Sequence, residues 1–263
     1  MNPMLNIAVR AARAAGDAIM RHFDRLDAVQ VESKQRNDFV SEVDREAEAR
    51  IIAILQRSYP DHGILAEESG EHPGNGEYQW IIDPLDGTTN FLHGFPHFAV
   101  SIALQHKGRL QAGVIYDPVR QELFTATRGG GAELNNRRIR VTRRAGLEGA
   151  LLGTGFPYRT DQPREVYMDL LDTFMGATAG IRRPGSAALD LAYLAAGRID
   201  GFWELGLSRW DIAAGALLIR EAGGIVADLH GGGDYLETGN VLAANPKVFH
   251  EMNQIIARHL QNR

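Results

Sequence analysis

The chain has 263 residues, 44% of them hydrophobic and 23% charged, which suits a soluble globular protein long enough for one large domain or two lobes sharing a core. Its formal net charge of −5 speaks against a nucleic-acid binder held by bulk positive charge, so direct nucleic-acid binding is not expected. Cysteine is absent, which excludes disulfides, thiolate catalysis and cysteine-based zinc sites and fits a reducing compartment.

Leu5, Ala8, Val9, Ala12, Ala15 and Ile19 recur at helical spacing, broken by Arg10, Arg13 and Asp17, so the chain opens on an amphipathic helix rather than a signal segment. No later segment reaches the roughly 20 apolar residues that span a bilayer. A cytoplasmic protein with no membrane partner is the expectation. VQVESK (29–34) reads as a short alternating strand. Residues 41–59 read as a helix with Ser41 near its start and Val43, Ala47, Ile51, Ile54 and Leu55 facing inward. GILAEE (63–68) and WIIDP (80–84) are apolar runs ending in carboxylates, as strands do when they deliver side chains to a site.

Between 98 and 140, FAVSIAL, LQAGVIYD and ELFTATR alternate, and the separators KGR, PVRQ and GGG point to antiparallel strands. Beyond them the strand-like runs ALLGTGF, GIRRPG, DGFWEL, GGIVAD and NVLAAN are interleaved with helices near 165–175, 187–196, 211–222 and 246–260. Strands alternating with helices imply a layered α/β lobe. With no internal repeat, low-complexity tract or linker, residues 1–263 read as one domain of two lobes, an α+β N-terminal lobe and an α/β C-terminal lobe, with a soft boundary near Arg144.

One stretch carries more chemistry than a fold needs. In WIIDPLDGTTNF (80–91), Pro84 pushes Asp83 toward extended geometry and forces a turn, Gly87 permits close backbone approach, and Thr88, Thr89 and Asn90 suit the opening of a helix. Free backbone N–H groups beside two carboxylates suit an anion together with a hard cation, as phosphate with Mg²⁺ would be. An isolated D-x-x-D is as readily a capped turn. Spacing alone does not bring Glu67, Glu68 and Asp211 to the same place.

Other features have plainer readings. Gly129 to Gly131 and Gly231 to Gly233 are turns, since neither forms a G-x-G-x-x-G between a strand and a helix. Arg137, Arg138, Arg140, Arg143 and Arg144 suit a solvated hairpin edge. His93 and His97 lack ligand-spaced partners for zinc.

ILAEES (64–69), WIIDPLDGTTNF and LSRWDIAAG (207–215), in this order, resemble the three signature segments of the inositol monophosphatase family, Mg²⁺-dependent and lithium-sensitive phosphomonoesterases. The resemblance runs over the whole chain, through MLNIAVRAAR, PHFAVSIA, GSAALDLAYLAAGR and REAGGIV, and is nearest to the bacterial SuhB-type members. It implies an α-β-α-β-α sandwich, with a metal-site lobe over 1–144 and a substrate lobe over 145–263. It further implies that Glu67, Asp83 and the Leu85 carbonyl hold a first Mg²⁺, and that Asp83 bridges to a second held by Asp86 and Asp211. Two or three ions would bind, Mn²⁺ substituting and Li⁺ inhibiting. Asp44 and Thr88, with Glu67, would orient and deprotonate the attacking water.

For the substrate, the resemblance implies contacts from Glu67, Leu85, Asp86, Gly87, Thr88, Gly185, Ser186, Ala187, Glu204 and Asp211. That substrate would be myo-inositol 1-phosphate or a similar phosphorylated polyol, with fructose 1,6-bisphosphate or 3′-phosphoadenosine phosphates as alternatives. A homodimer is implied, with Arg182 and Arg183 suited to a subunit contact. So is a role in ribosomal-RNA transcription antitermination and ribosome biogenesis through RNA polymerase and Nus factors, the alternative being a protein used mainly for that binding.

Overall fold

The computed structural model describes residues 2–26, 29, 31–35, 38–157 and 164–261. The chain opens with α1 (Pro3–Phe23), capped by Asn2, whose side chain accepts from the Met4 and Leu5 amides, and buries an alanine-rich face ending at Ile19. The hairpin β1 (Val31–Gln35) and β2 (Asp38–Ser41) leads into α2 (Glu42–Ser58). Then come β3 (Gly63–Ala66), β4 (Gly70–His72), β5 (Tyr78–Asp86), the single turn α3 (Thr88–Leu92), β6 (Ala99–His106), β7 (Arg109–Asp117), β8 (Glu122–Thr127), β9 (Gly131–Leu134) and β10 (Arg137–Arg138). The remainder comprises β11 (Leu151–Thr154), α4 (Arg164–Ala177), β12 (Gly180–Arg182), α5 (Ala187–Ala195), β13 (Gly201–Glu204), α6 (Arg209–Glu221), β14 (Ile225–Ala227), α7 (Tyr235–Thr238), β15 (Val241–Ala244) and α8 (Pro246–Gln261).

The strands from β3 to β10 build one sheet in the order β10-β9-β8-β7-β6-β5-β3-β4, antiparallel except for the parallel pair β3 and β5. The later strands build a second, β12-β11-β13-β15-β14. Helices α1 and α2 cover one face of the first sheet, where Trp80 and Ile82 meet Ala12, Ile19, Ile51 and Leu55. Between those two strand residues, Ile81 points the other way and joins α5 and α6, which are packed in turn against Phe202 and Ala243 of the second sheet. Helices α4 and α8 close the far face around Trp203 and Leu242. The result is the expected α-β-α-β-α sandwich. Both faces of the first sheet are covered, which is why β3 and the start of β5 read as continuous apolar runs.

Four local expectations need correction. The chain does not leave the sheet at Pro84: β5 continues to Asp86, and the ladder with β6 skips between Asp83 and Asp86. The missing proline donor is absorbed by that irregularity. Helix α6 starts at Arg209, two residues before Asp211, because Ser208 supplies the cap. Ile54 is only partly buried, lying at the edge of the α2 stripe. The arginine cluster divides: Arg137 and Arg138 form the exposed sheet-edge strand, whereas Arg144 donates to Asp200 at 3.0 Å. Among the described residues, no helix is long and apolar enough to cross a membrane.

The two middle helices approach closely at Gly215, where an added Cβ would lie 2.5 Å from Cβ of the fully buried Leu191. Helix propensity favours alanine over glycine by about 1 kcal/mol, but overpacking a filled core costs about 1–3 kcal/mol. Gly215→Ala is therefore expected to lower the thermal midpoint, measured by circular dichroism. A raised midpoint would show that Leu191 moves aside freely.

Candidate active site

Helix ends and strand ends converge on one cleft of about 340 Å³. The β5 irregularity aims Asp83 and Asp86 at it, and the Leu85 amide donates to Asp83 at 3.0 Å. From α6, Asp211 joins them: carboxylate oxygens of Asp83, Asp86 and Asp211 lie within 4.8 Å of one another. Glu67, just past β3, lines the same cleft.

Two of the acids are fixed by the same local device. Ser41-Glu-Val-Asp44 and Ser208-Arg-Trp-Asp211 each form a capping box, in which the acid at the third helical position accepts from the cap residue's backbone amide, at 2.8 and 2.7 Å. Asp44 also accepts the Ser41 hydroxyl, and its other oxygen accepts the Thr88 hydroxyl at 2.8 Å. Thr88 Oγ1 lies 3.0 Å from the Leu85 carbonyl as well. A hydroxyl has one proton, so these two acceptors share or alternate it.

Gly87 is required twice over. Its φ is 100°, in the left-handed region, and a Cβ there would sit 3.0 Å from the His97 carbonyl. Asn90 then ties this turn to the opposite wall, donating to the carbonyls of His97 at 2.8 Å and Pro184 at 2.9 Å. On that wall Gly185, Ser186 and Ala187 line the cleft, and Ser186 Oγ and the Ala188 amide donate to Asp86 at 2.6 and 2.7 Å. Glu204, at the end of β13, completes the lining. Asp44 stands behind Thr88 and reaches the cleft through that hydroxyl.

Burial and crowding act together on these acids. Asp83 is raised well above the ordinary carboxylate range, first by burial and then by the charges of Glu67, Asp86 and Asp211. Asp211 is raised likewise, by burial and then by Asp86 and Glu67. Asp86 is raised by burial, with partial relief from its Ser186 and Ala188 donors. Burial also lifts Asp44, against the opposing effect of its own donors. Glu204 is pushed up to about 8 by burial, opposed by Arg183. Two carboxylates 4 Å apart repel by about 4 kcal/mol at an effective dielectric of 20. Oxygen-only donors under this strain fit a hard divalent cation such as Mg²⁺ or Mn²⁺.

Zinc has no footing here. His93 is exposed, His97 is buried with its value lowered to about 4 by desolvation, and neither joins a metal-spaced group among the described residues. Two supporting residues, Glu48 and Asp190, escaped sequence reasoning, and Arg183 was read there for a subunit contact alone. Glu48 accepts the Glu68 and Ser69 amides at 2.8 and 2.9 Å and so steadies the loop that carries Glu67; its signal was an acid on the buried stripe of α2. Asp190 is a lone acid in the apolar run of α5. Arg183 also lines the cleft, its guanidinium 5.3 Å from the Phe156 ring centroid, whereas Arg182 is exposed at the end of β12.

Raised carboxyl values fix the sign of the pH dependence without metal. The folded chain holds its protons longer than the unfolded one, so stability falls as pH climbs from the ordinary value of 3.8 toward the raised values, Glu204's being about 8. In EDTA, the thermal midpoint is expected to drop between about pH 5 and pH 8, and to drop less in Asp83→Asn. Comparing the two proteins removes His97, whose lowered value contributes the opposite slope. Identical slopes would contradict the crowding.

A family model described as the inositol monophosphatase family matches residues 1–262. "Nus factor SuhB" of Pseudomonas aeruginosa is 57% identical over 265 residues, covering 99% of this chain and 98% of that protein. Its namesake in Escherichia coli K12 is 55% identical over 253 residues, covering 96% and 95%. Among solved structures, the extragenic suppressor protein suhB of Bartonella henselae superposes with a TM-score of 0.95 at 46% identity, covering 97% of this chain and 98% of that one. Inositol monophosphatase from Anabaena gives 0.84 at 41%, covering 98% and 95%. On sequence and fold together, the chain belongs to the inositol monophosphatase family, on its SuhB-type branch.

Proposed function

We propose that the protein is a phosphomonoesterase that releases phosphate from a small phosphorylated polyol, myo-inositol 1-phosphate foremost. The observation that carries this reading is the buried Asp83, Asp86 and Asp211 group beside the Asp44–Thr88 hydrogen bond. Glu67, Asp83, Asp86, Asp211 and the Leu85 carbonyl would hold two or three Mg²⁺ ions, with Mn²⁺ as a substitute and Li⁺ as an inhibitor. Bound there, the cations neutralise the acids, make water more acidic and stabilise charge on the phosphoryl and leaving oxygens.

The chain's own residues do the rest. Thr88 donates its proton to Asp44, which leaves the hydroxyl lone pairs free to accept a proton from a water in the cleft. As that water attacks phosphorus, its proton passes to Thr88 while the threonine proton passes to Asp44. Burial raises the proton affinity of Asp44 and suits it as the terminal acceptor. Glu67, which lines the same cleft, would help to orient the water. The P–O ester bond breaks as the new P–O bond forms, and the leaving oxygen takes a proton from a water of the cleft to depart as the alcohol. Asp44 returns its proton to solvent once the products have left. The backbone amides of Gly87 and Thr88 would steady the phosphate, and Gly185, Ser186, Ala187 and Glu204 would face the polyol.

The acids come from both ends of the chain, which supports reading residues 1–263 as one phosphatase domain with a metal-site lobe over 1–144 and a substrate lobe over 145–263. A second reading, compatible with the first, is favoured by the 57% identity to a Nus factor SuhB: a cytoplasmic homodimer that binds RNA polymerase and Nus factors in ribosomal-RNA antitermination.

Asp86→Asn keeps the side chain's size and removes one charge, so phosphate release at saturating Mg²⁺ is expected to fall by about a hundredfold or more, since even the outer partners of metal ligands are worth about 10–100-fold. Retained turnover would sink the metal assignment. Catalysis and partner binding draw on different surfaces, because interface energy concentrates in a few exposed anchors. Asp83→Asn, which is 1% exposed, is expected to abolish phosphate release yet leave capture of RNA polymerase and Nus factors in a pull-down unchanged. Loss of both in a folded variant would join site and interface.

A further inference from the structure

Helix α2 carries two buried acids one turn apart, and of these only Asp44 has a part in the chemistry just described. Glu48, four residues on, is 3% exposed and lies on the same face of the helix. Its two oxygens accept from two consecutive amides, Oε2 from Glu68 at 2.8 Å and Oε1 from Ser69 at 2.9 Å. Two neighbouring N–H donors need two acceptor oxygens on one side chain. A carboxylate offers both, whereas an amide of the same length offers one.

The segment held in this way is the one that presents Glu67. Residues 67–69 link β3 to β4, and the Glu67 amide donates to the Ile82 carbonyl of β5 at 3.2 Å. Every amide of the link is therefore placed, one by the sheet and two by Glu48. A groove of about 500 Å³ opens between α2 and the link, lined by Ala49, Ile52, Ala53 and Ser69, so the two hydrogen bonds rather than close packing make the tie. One turn earlier on the same helix, Asp44 accepts the Thr88 hydroxyl at 2.8 Å. Positions four apart are about 6 Å apart along a helix axis, a spacing that the backbone keeps fixed. Helix α2 is thus one rod that joins the Glu67 link to the Thr88 turn.

A bond of the same kind elsewhere supplies the contrast. Glu251 of α8 accepts the Leu147 amide at 2.8 Å, yet neither residue lines the cleft. Resting on the metal-dependent reading above, we infer that Glu48 is a positioning residue: it sets Glu67 against Asp83 and the Asp44–Thr88 pair at the spacing that a cation and its water require. Glu48 touches neither ion nor substrate and acts through the backbone of the link.

The test compares the whole chain with Glu48→Gln, Glu48→Ala and, as a control, Glu251→Gln. Outer partners of metal ligands are worth about 10–100-fold in metal affinity. In a calorimetric titration with Mn²⁺, Glu48→Gln is expected to bind its tightest ion about tenfold more weakly than wild type, and Glu48→Ala more weakly still. The glutamine keeps one accepting oxygen but turns an NH₂ toward the other amide. Glu251→Gln is expected to bind Mn²⁺ as wild type does, whatever its melting midpoint. In phosphate release, the Mg²⁺ concentration giving half the maximal rate is expected to rise about tenfold in Glu48→Gln. KM for myo-inositol 1-phosphate stays the same and most of kcat returns at saturating Mg²⁺, because the bound cation draws Glu67 back into place.

Hydrogen exchange in EDTA needs neither metal nor turnover. The Glu68 and Ser69 amides are expected to exchange faster in Glu48→Gln, while those of β5 keep their protection. Should Glu48→Ala fail to fold, Glu48→Gln decides. Wild-type Mn²⁺ affinity in folded Glu48→Gln overturns the inference, and so does unchanged exchange at both amides. Equal weakening in Glu251→Gln makes the effect one of general stability and overturns it as well. Wild type that binds no Mn²⁺ defeats the metal reading and the inference with it, whereas wild type that binds the ion beside unaltered Glu48 variants defeats the inference alone.

Discussion

Like charges held together in a place with little water are the constraint around which this molecule is built. Asp83, Asp86 and Asp211 sit within 4.8 Å, and Glu67 adds its charge to theirs. Such a group drifts apart or draws in water unless each acid is fastened to something rigid. Here the anchors are element ends: Asp83 and Asp86 on the interrupted last turn of β5, Asp211 and Asp44 on the first turns of α6 and α2. The two helix positions also meet the positive end of the helix dipole, which offsets part of the burial penalty.

Rigidity at those ends comes from the layers behind them. Helices α5 and α6 lie between the two sheets and are apolar nearly all round, so they are locked by packing on both sides. Close approach is needed for that. Gly113 of β7 leaves 3.1 Å between an added Cβ and the Ala214 carbonyl, and Gly215 leaves 2.5 Å to Leu191. Both helices point their first turns at the cleft, one bringing Ser186 to Asp86 and the other bringing Asp211. The core that gives the protein its stability thus sets the spacing of its acids.

Buried acids without a neutralising ion are a burden on stability, and this bears on the two functional readings. A chain used only as a binding surface has no physical reason to keep Asp44, Thr88 and Asp211 in register with Asp83. Retention of the whole set, with its capping boxes and with the Glu48 brace under Glu67, favours a working hydrolytic site even where the relatives carry the name of a Nus factor.

Neighbouring residues along the chain were enough to determine a good deal. Helical spacing announced α1 and α2, apolar runs announced β3 and β5, alternation announced β6 to β8, and D-P-L-D-G-T-T placed two acids, a permissive glycine and a helix start within one segment. These depend on contacts between residues close in sequence, whose geometry the backbone dictates. The hairpin edge at Arg137 and Arg138 was legible for the same reason. Other features were not legible, because they depend on which distant backbone arrives alongside. Pro84 stays in the sheet since β6 pairs around it, and Glu48 is a brace only because the amides of Glu68 and Ser69, 20 residues on, come within reach. That Glu67, Asp83, Asp86 and Asp211 crowd one cleft was decided by tertiary packing alone, because burial and neighbouring charge are properties of the surroundings and not of the residue.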